Sequence, residues 1–190
     1  TRVAGNTVGE YTINQGTVDN SNYTITYTSA KLTINAKPIT VTAEPKLKTY
    51  GDNDPALTYT TAVGALVGND TLTGALTRVA GNNVGEYTIN QGTVTNTNNT
   101  NYDITYTSAK LTINAKPITV TAEPKNKIYG QNDPALTYTT PVGALVGNDT
   151  LTGSLTRVAG NTVGEYTINQ GTVDNANYAI TYASAKLTIN

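Results

Sequence analysis

Residues 31–46 read KLTINAKPITVTAEPK, and the same letters return at residues 110–125. Within this stretch Ile39, Val41 and Ala43 alternate with threonines. Alternation with a period of two places apolar side chains on one face and hydroxyls on the other, as expected of a half-buried β-strand. The stretch therefore predicts a β-structure that is built more than once along the chain.

Other segments return with the same spacing. TRVAGN begins at Thr1, Thr77 and Thr156, which are 76 and 79 residues apart, and the three-residue difference is an insertion in the second copy. This period is longer than the roughly 20–45 residues of a solenoid rung, and it is long enough for a small domain with its own core. We therefore expect separate small domains rather than a continuous solenoid.

We place the repeat boundaries before the two Lys-Pro dipeptides, which begin at Lys37 and Lys116. This choice gives a partial repeat at 1–36 and complete β-repeats at 37–115 and 116–190. A different phase, with units beginning at Thr1 and Thr77, stays open. The predicted fold class is all-β, with tandem small β-domains arranged end to end. Each domain is expected to be an immunoglobulin-like sandwich, with a β-grasp-like domain as the alternative.

Six short strands, or seven, are predicted in each complete repeat from runs of alternating apolar and polar residues. Turn sequences rich in Gly, Asn, Asp and Pro separate these runs. A single helical turn is considered only for residues 65–70. In the middle repeat the predicted strands cover residues 39–43, 57–60, 72–76, 87–89, 102–106 and 111–113.

The partial repeat at 1–36 lacks counterparts of the strands predicted at 39–43 and 57–60. It would expose strand edges and part of a core. We therefore expect this segment to be disordered, or to be paired with another molecule.

No Gly/Ser-rich linker separates one repeat from the next, so the flexible-coil regime does not apply. Pro38 and Pro117 follow the junctions directly and fix the backbone φ angle there. The junctions are therefore predicted to be stiff, with each repeat held at a preferred angle to its neighbour.

Composition excludes several classes of function. The 190 residues include no Cys, His, Met, Trp or Phe, 13% are charged, and the formal net charge is −1. A thiolate nucleophile, a Cys-based zinc site, a disulfide framework and a Ser-His-Asp triad are therefore impossible. A nucleic-acid partner would require a basic face, and no apolar run is long enough to insert into a membrane.

The loop at 51–54 offers carboxylate oxygens, the ligand type that calcium prefers. Its counterpart at 130–133 has one carboxylate fewer, and Pro follows where the EF-hand spacing requires another ligand. An Asx-type turn, in which Asp54 or Asp133 bonds to its own backbone, is the favoured interpretation. We expect no cofactor and no metal site, and calcium binding by Asp52, Asp54 and Asp133 remains the minor alternative.

Other polar residues also receive structural interpretations. Arg2, Arg78 and Arg157 recur with Glu10, Glu86 and Glu165 at the two ends of a predicted hairpin, where an ion pair or a solvated charge is expected and a binding role for the arginines is the minor alternative. The recurring acids, such as Glu44 with Glu123 and Asp70 with Asp149, suggest fold maintenance rather than glycoside cleavage. Most tyrosines are expected to point inwards, and the Thr-X-Thr strings to face solvent, with ligand binding by a Thr face as the minor alternative. An isopeptide bond from Lys110 or Lys186 to an Asn is a further hypothesis.

The order of these motifs resembles that of the MBG-type repeat in its Tyr-Gly-X variant. Tyr50-Gly51-Asp52, Asp54-Pro55, Leu72 with Gly74, Val84-Gly85-Glu86-Tyr87 and Asn101-Tyr102 carry the resemblance, and the third copy departs from it at Gln131. Repeats of this kind occur in large bacterial surface and secreted proteins, among them filamentous-haemagglutinin-like exoproteins and adhesins. The resemblance implies an extracellular location and a structural or adhesive role without catalytic residues.

Two functions are consistent with these observations, and neither is enzymatic. The first is a structural spacer in the stalk of a cell-surface adhesin, which projects a distal binding region. The second is a module that binds glycan or protein weakly and gains avidity by repetition. We expect a monomer whose partners are the neighbouring repeats of the same chain, while other regions bind a host or matrix glycan or protein. No nucleic-acid partner is expected.

Overall fold

The computed structural model describes all residues from 1 to 190, and it is all-β, as predicted. The structure contains no helix, and therefore none that is long and apolar enough to cross a membrane. The strands are β1 Gly9–Ile13, β2 Ala30–Ile34, β3 Lys37–Ala43, β4 Lys46–Thr49, β5 Tyr59–Thr61, β6 Thr77–Arg78, β7 Gly85–Asn90, β8 Tyr102–Thr107, β9 Ala109–Asn114, β10 Lys116–Ala122, β11 Lys125–Lys127, β12 Tyr138–Thr139, β13 Thr156–Arg157, β14 Gly164–Asn169, β15 Tyr178–Ala183 and β16 Ala185–Ile189.

The middle repeat contains two sheets. One has the strand order β5-β3-β8, and the other has the order β4-β9-β7-β6. Strand β3 buries every second side chain, as its alternating sequence predicts. Residues from both sheets share one core, so the repeat is a small sandwich. The buried members of that core are Ile39, Val41, Ala43, Leu76, Ile89, Val94, Tyr102 and Leu111.

The third repeat has the same topology, with the sheets β12-β10-β15 and β11-β16-β14-β13. Strand β10 pairs antiparallel with β12 on one side and parallel with β15 on the other. Strand β16 pairs parallel with β11 and antiparallel with β14. Each complete repeat therefore has two mixed sheets, and its first long strand lies beside a strand from late in the repeat. The alternation within one strand does not specify such long-range pairing.

Two local predictions were wrong. Residues 72–76 form no regular strand, and the short strand of this region is β6 at Thr77–Arg78. Instead of a helical turn over 65–70, this region has two separate turns at 62–65 and 67–70, closed by hydrogen bonds from Ala65 N to Ala62 O and from Asp70 N to Val67 O. Gly64 and Gly68 adopt positive φ there and interrupt any helix.

Strand β4 was not predicted. Its sequence Lys-Leu-Lys-Thr has the alternation of a strand but only one strongly apolar residue. The apolar face that usually marks a strand is absent, because Leu47 is itself exposed. Strand β4 forms because it lies beside β9 in the sheet.

The partial repeat forms the antiparallel pair β1–β2. Disorder, or pairing with another molecule, was expected for this segment, and the structure instead shows an ordered pair within the chain. None of residues 1–36 is buried. Leu32 is 40% exposed, whereas its counterparts Leu111 and Leu187 are fully buried. Residues 24–29 form no strand, although the corresponding residues in the complete repeats form β8 and β15. Those strands pair with β3 and β10, and residues 1–36 include no counterpart of either.

The three-residue insertion in the middle repeat is held by Asn99, the one buried polar side chain. The Thr73 N–H donates to Asn99 Oδ1 at 2.7 Å, and Asn99 Nδ2 donates to Thr73 O and Thr95 O at 3.0 Å each. In the shorter third repeat, Asn175 Nδ2 instead donates to Thr150 O at 3.0 Å. Both repeats thus close this loop with an asparagine amide that satisfies backbone groups.

The chain divides into two compact units whose limits differ from those of the sequence repeats. The first unit contains residues 1–46, 56–79 and 87–111. The second contains residues 47–55, 80–86 and 112–190, and therefore includes two loops of the middle repeat together with the whole third repeat. The domain boundaries at 36 and 115 remain a prediction from the sequence.

Candidate functional site

The Tyr-Gly loop follows strand β4 and has a fixed local shape. The Asp52 N–H donates to Thr49 O at 3.0 Å, and the Asp52 carboxylate accepts the Thr49 N–H at 3.3 Å. Lys48 Nζ closes the loop from the other side by donating to Asp54 Oδ1 at 2.8 Å. These bonds leave the Tyr50 side chain at the tip of the loop, where it can contact other residues.

The corresponding loop of the third repeat has the same bonds with a different residue. The Gln131 N–H donates to Ile128 O at 3.1 Å, and Gln131 Oε1 accepts the Ile128 N–H at 3.3 Å. Lys127 Nζ donates to Asp133 Oδ1 at 2.7 Å. A side-chain oxygen is all that the position after Tyr-Gly must provide, so Asp52 and Gln131 are equivalent there.

The Tyr50 ring packs into a pocket of the same compact unit, which we call the Asp149 pocket and which is formed by Val146, Asp149, Asn177 and Tyr178. The hydroxyls of Tyr50 and Tyr178 both donate to Asp149 Oδ2, at 2.8 and 2.6 Å. The two rings meet edge to face, with centroids 5.5 Å apart and planes at 79°. The pocket thus combines an aromatic contact with two hydrogen bonds to a charged acceptor, which are stronger than bonds between neutral groups.

Gly51 allows the loop to approach this closely. Its φ of +90° disfavours other residues, and a Cβ atom placed on it would lie 2.5 Å from Val146 Cγ2. At the counterpart Gly130 the φ is +86°, and a Cβ would have no neighbour within 4 Å. Backbone conformation alone therefore explains why residue 130 is a glycine, whereas a glycine at position 51 is also needed to leave space for the Val146 side chain.

Backbone groups next to the pocket are satisfied by the same unit. The Tyr50 N–H donates to Asn114 O at 2.8 Å. A second loop of the middle repeat is held by Asn177, whose Oδ1 accepts the Val84 N–H at 3.0 Å and whose Nδ2 donates to Asn83 Oδ1 at 3.2 Å. The loop that contains Tyr50 and the loop that contains Asn83 and Val84, both in the middle repeat, are therefore bound by side chains of the third repeat.

The hydrogen bonds of the pocket shift the ionisation of all three groups. Donation from Tyr178 and then from Tyr50 lowers the pKa of Asp149. The bond to Asp149 raises the pKa of Tyr50, and burial followed by the bond to Asp149 raises the pKa of Tyr178. The carboxylate and the two neutral phenols are thus the favoured forms near neutral pH.

The other unit contains a second pocket with the same four residue types. We call it the Asp70 pocket, and it is formed by Val67, Asp70, Asn101 and Tyr102. The Tyr102 hydroxyl donates to Asp70 Oδ2 at 2.6 Å and accepts the Val67 N–H at 2.9 Å. No tyrosine from another loop donates to Asp70 here. A cavity of about 170 Å³ remains, which is also lined by residues 6, 8, 34, 35 and 37.

The carboxylates proposed as calcium ligands do not lie together as a ligand set. Lys48 donates to Asp54, and both Lys127 and Arg157 donate to Asp133, with Arg157 Nε at 2.6 Å. Arg157 and then Lys127 lower the pKa of Asp133 to about 2. No cluster of three or more acidic side chains is placed to hold a metal ion. Asp54 and Asp133 accept from lysine, and the carboxylate of this loop that bonds to the backbone is that of Asp52, which accepts the N–H of Thr49, three residues earlier, and therefore does not form an Asx turn.

The predicted ion pair with a hairpin glutamate is wrong for Arg2 and Arg157, whose guanidinium groups donate to other residues. Arg2 and Arg157 lie over the rings of Tyr11 and Tyr166, each at 5.4 Å from the centroid, and the third arginine lies over Tyr87 at the same distance. Arg157 donates to Asp133 rather than to a hairpin glutamate. The planar guanidinium favours stacking on an aromatic face, and this contact recurs in all three copies.

Other candidate residues have simpler roles. Lys110 and Lys186 donate to the hydroxyls of Thr88 and Thr167 at 2.8 Å each, so neither amine contacts an asparagine. Glu44 binds Lys46 and Thr58, and the Thr58 bond is the main reason that the pKa of Glu44 is lowered. Among the tyrosines, only Tyr102 and Tyr178 are buried, each with 5% of its surface exposed.

Sequence reasoning did not identify the Asp149 pocket. Asp70 with Asp149 was recognised as a recurring pair, and Tyr102 with Tyr178 as part of the Asn-Tyr motif, but nothing linked them to Tyr50. The useful signal was the recurrence of Tyr-Gly, Asp and Asn-Tyr once in each repeat. Their sequence separation gave no indication that the tyrosine of one repeat contacts the aspartate of the next.

Comparison with known families gives one match. A family model described as MBG domain (YGX type) matches residues 1–33, 39–112 and 118–188. The three matched segments cover most of the chain, including the partial repeat. Neither a curated protein nor a solved structure matches it.

Proposed function

Because the chain belongs to the MBG domain family of the YGX type, we propose that it is part of the stalk of a bacterial cell-surface adhesin. MBG domains occur in extracellular surface proteins. In this role the repeats hold a distal binding region away from the cell. They carry no catalytic group of their own.

The observation that carries this proposal is the contact of Tyr50 with the Asp149 pocket. A spacer must transmit force and keep its length, and a flexible linker would do neither. Here the end of one repeat is bound to the next by an aromatic contact, two hydrogen bonds to Asp149 and a second loop held by Asn177. These contacts oppose bending at the junction, because bending would expose Tyr50 and leave Asp149 with one donor fewer.

The alternative, weak binding of glycan or protein by each repeat, requires an aromatic or polar surface that recurs. The most exposed tyrosines are Tyr23 at 74% and Tyr129 at 64%, while their counterparts in the other repeats are covered. Exposed tyrosine is therefore not a repeated feature of these domains. This favours the spacer over the binding module.

Small-angle X-ray scattering on the full chain and on the Tyr50→Ala variant tests the proposal. For the wild type we expect a stiff particle whose two complete repeats together span about 70–80 Å, from strands of about ten residues in each. The profile should be the same with calcium and with chelator. The variant should show a broader distribution of lengths, and Tyr129→Ala serves as its control. A wild-type chain that already bends freely would contradict the spacer.

A second measurement separates the two functions. Arrays of two, four and eight complete repeats would be displayed on a cell surface, and the height of the layer and its binding to glycans would be recorded. A spacer predicts that height rises with repeat number while glycan binding stays at background. Binding that rises steeply with repeat number would instead support the module that acts through avidity.

A further inference from the structure

The two complete repeats differ at the outer edge of one sheet. Strand β15 lies at the edge of the sheet β12-β10-β15 and pairs only with β10. Its counterpart β8 lies at the edge of the sheet β5-β3-β8 and pairs only with β3. A complete repeat follows β8 in the chain, and none of its strands pairs with β8. This sheet edge therefore belongs to each repeat by itself and is not covered by a neighbouring repeat.

In the middle repeat a side chain closes the edge. Asn96 lies in the loop that the three-residue insertion lengthens. Its Oδ1 accepts the Ile104 N–H at 2.8 Å, and its Nδ2 donates to Asp103 Oδ1 at 2.9 Å. The Ile104 N–H faces away from β3, so this bond occupies a group that an added strand would need. The charge of Asp103 disfavours an added strand as well.

In the third repeat the same edge is open. The loop before β15 is three residues shorter, and Ala179 stands at the position of Asp103. The Tyr178 N–H donates to Asn175 O within that loop. The backbone groups of Ile180 and Tyr182 also face outwards, because every second residue of a strand directs its N–H and C=O to the same side. No residue of the chain bonds to these outward groups.

The remaining edge strands of the complete repeats are shorter or charged. Strands β6, β12 and β13 have two residues each, and β5 has three. Strands β4 and β11 each contain two lysines, a residue type that protects sheet edges from pairing. Strand β15 has six residues, none of them charged. Among these edges, the best partner for β15 is therefore the β15 of a second copy.

We propose that two copies of this chain associate through β15, in antiparallel pairing about a two-fold axis at Thr181. In this register Ile180 of each copy lies opposite Tyr182 of the other, and each of these pairs exchanges both of its N–H···O bonds. Both residues stay on the face that each copy turns towards its core. The two Thr181 side chains lie opposite each other on the exposed face, and such threonine pairs stabilise sheets. The two sheets thereby become one continuous sheet.

This association goes beyond the spacer function, because it joins neighbouring chains side by side. Repeats like the third supply the contact, whereas the asparagine of the longer loop keeps repeats like the middle one single. The chain, which the sequence led us to expect as a monomer, then forms a dimer at high concentration.

Sedimentation velocity of the full chain over a range of concentrations measures the association, and amide chemical shifts at low and high concentration locate it. We expect a concentration-dependent dimer, with shifts concentrated at residues 179–183. Thr181→Lys should raise the dissociation constant about fivefold or more, because two like charges then face each other across the axis. The matched control is Thr105→Lys at the same position of β8, which should leave the dissociation constant unchanged.

Cysteine substitution tests the register, because the chain has no cysteine of its own. The Cα atoms of a non-hydrogen-bonded antiparallel pair lie about 4.5 Å apart, which is close enough for a disulfide. With oxidised glutathione, Thr181→Cys should therefore form a disulfide-linked dimer much faster than Thr105→Cys. In the opposite direction, Asn96→Ala combined with Asp103→Ala opens the edge of β8 and should strengthen association.

The proposal is overturned if the wild type stays monomeric at about 1 mM. It is also overturned if Thr105→Lys weakens association as much as Thr181→Lys, if the two cysteine variants oxidise at the same rate, or if the shifts map elsewhere. Failure of this contact would leave the contact between Tyr50 and Asp149, and the spacer proposal, unaffected.

Discussion

The loops at Tyr50 and Tyr129 have the same local structure but different surroundings. In each a lysine two residues before the tyrosine donates to an aspartate four residues after it, at 2.8 and 2.7 Å. Tyr50 is partly covered and bonded to Asp149, whereas Tyr129 is 64% exposed. The loop therefore takes its shape without the pocket.

The difference between these loops separates two contributions that usually occur together. Everything in the Tyr129 loop reflects local bonds and glycine conformation. Any further stability of the Tyr50 loop comes from the contact of Tyr50 with Asp149 and Tyr178. The difference between matched substitutions in the two loops therefore measures how much the contact at the junction contributes to stability. Most effects on the unfolded chain are the same in both loops and cancel.

The largest effect is expected from truncating the tyrosine. Tyr50→Ala should destabilise the unit that contains it by about 2 kcal/mol, because it removes a packed ring and one donor to Asp149. Tyr129→Ala should cost less than about 0.5 kcal/mol, as is usual for an exposed position. Urea unfolding followed by circular dichroism would measure both. Equal effects would mean that the junction contributes nothing to stability.

A smaller difference is expected between the glycines. Gly130→Ala should cost about 1 kcal/mol through its positive φ alone, and Gly51→Ala should cost about 1–2 kcal/mol more, because its new Cβ meets Val146. The same urea experiment compares the two variants. If Gly51→Ala and Gly130→Ala were equally tolerated, the close approach of the loop to Val146 would be refuted.

The third expectation concerns pH. Asp149 has a lowered pKa in the folded chain, so its contribution to stability is present above the pKa of the unfolded state and is lost as the pH falls through the folded value. The raised pKa values of Tyr50 and Tyr178 predict a second loss, as the pH rises through their folded values above about 10.

The control for the pH dependence is Tyr50→Phe, which keeps the ring but removes one bond to Asp149. The variant should lose less stability than the wild type on acidification. Melting temperatures measured between about pH 2 and 7 would show this, since the range spans the usual aspartate pKa. Identical acid profiles for the two proteins would argue that the Tyr50 bond does not hold Asp149 ionised.

The smallest effect is expected from exchanging the third residue of the Tyr-Gly-X motif. Asp52→Gln and Gln131→Asp should each change stability by less than about 0.5 kcal/mol, because either side chain offers an oxygen to the same backbone N–H. Asp52→Ala and Gln131→Ala serve as controls that remove this bond. A marked loss in the exchanged variants would show that the charge at this position has a further role.

Much of the fold followed from local sequence. The alternation of Ile39, Val41 and Ala43 gave a strand with its buried face, and the recurrence of TRVAGN and KLTINAKPITVTAEPK gave tandem β-repeats. The alternation could not reveal that β3 lies parallel to β8, because partners distant in sequence are chosen by the shared core. Strand β4 was missed for the same reason, since its pairing with a neighbour, rather than an apolar face, makes it a strand.

The sequence by itself determined that each repeat is a small all-β domain with Tyr-Gly loops and that it has no catalytic chemistry based on Cys or His. These properties depend on residue type, alternation and turn propensity, which act over a few residues. Only the tertiary structure decided which groups meet, bringing Tyr50 to Asp149 across 99 positions of sequence. Such a contact depends on the folded surfaces of two successive repeats, and no local preference of either segment specifies it.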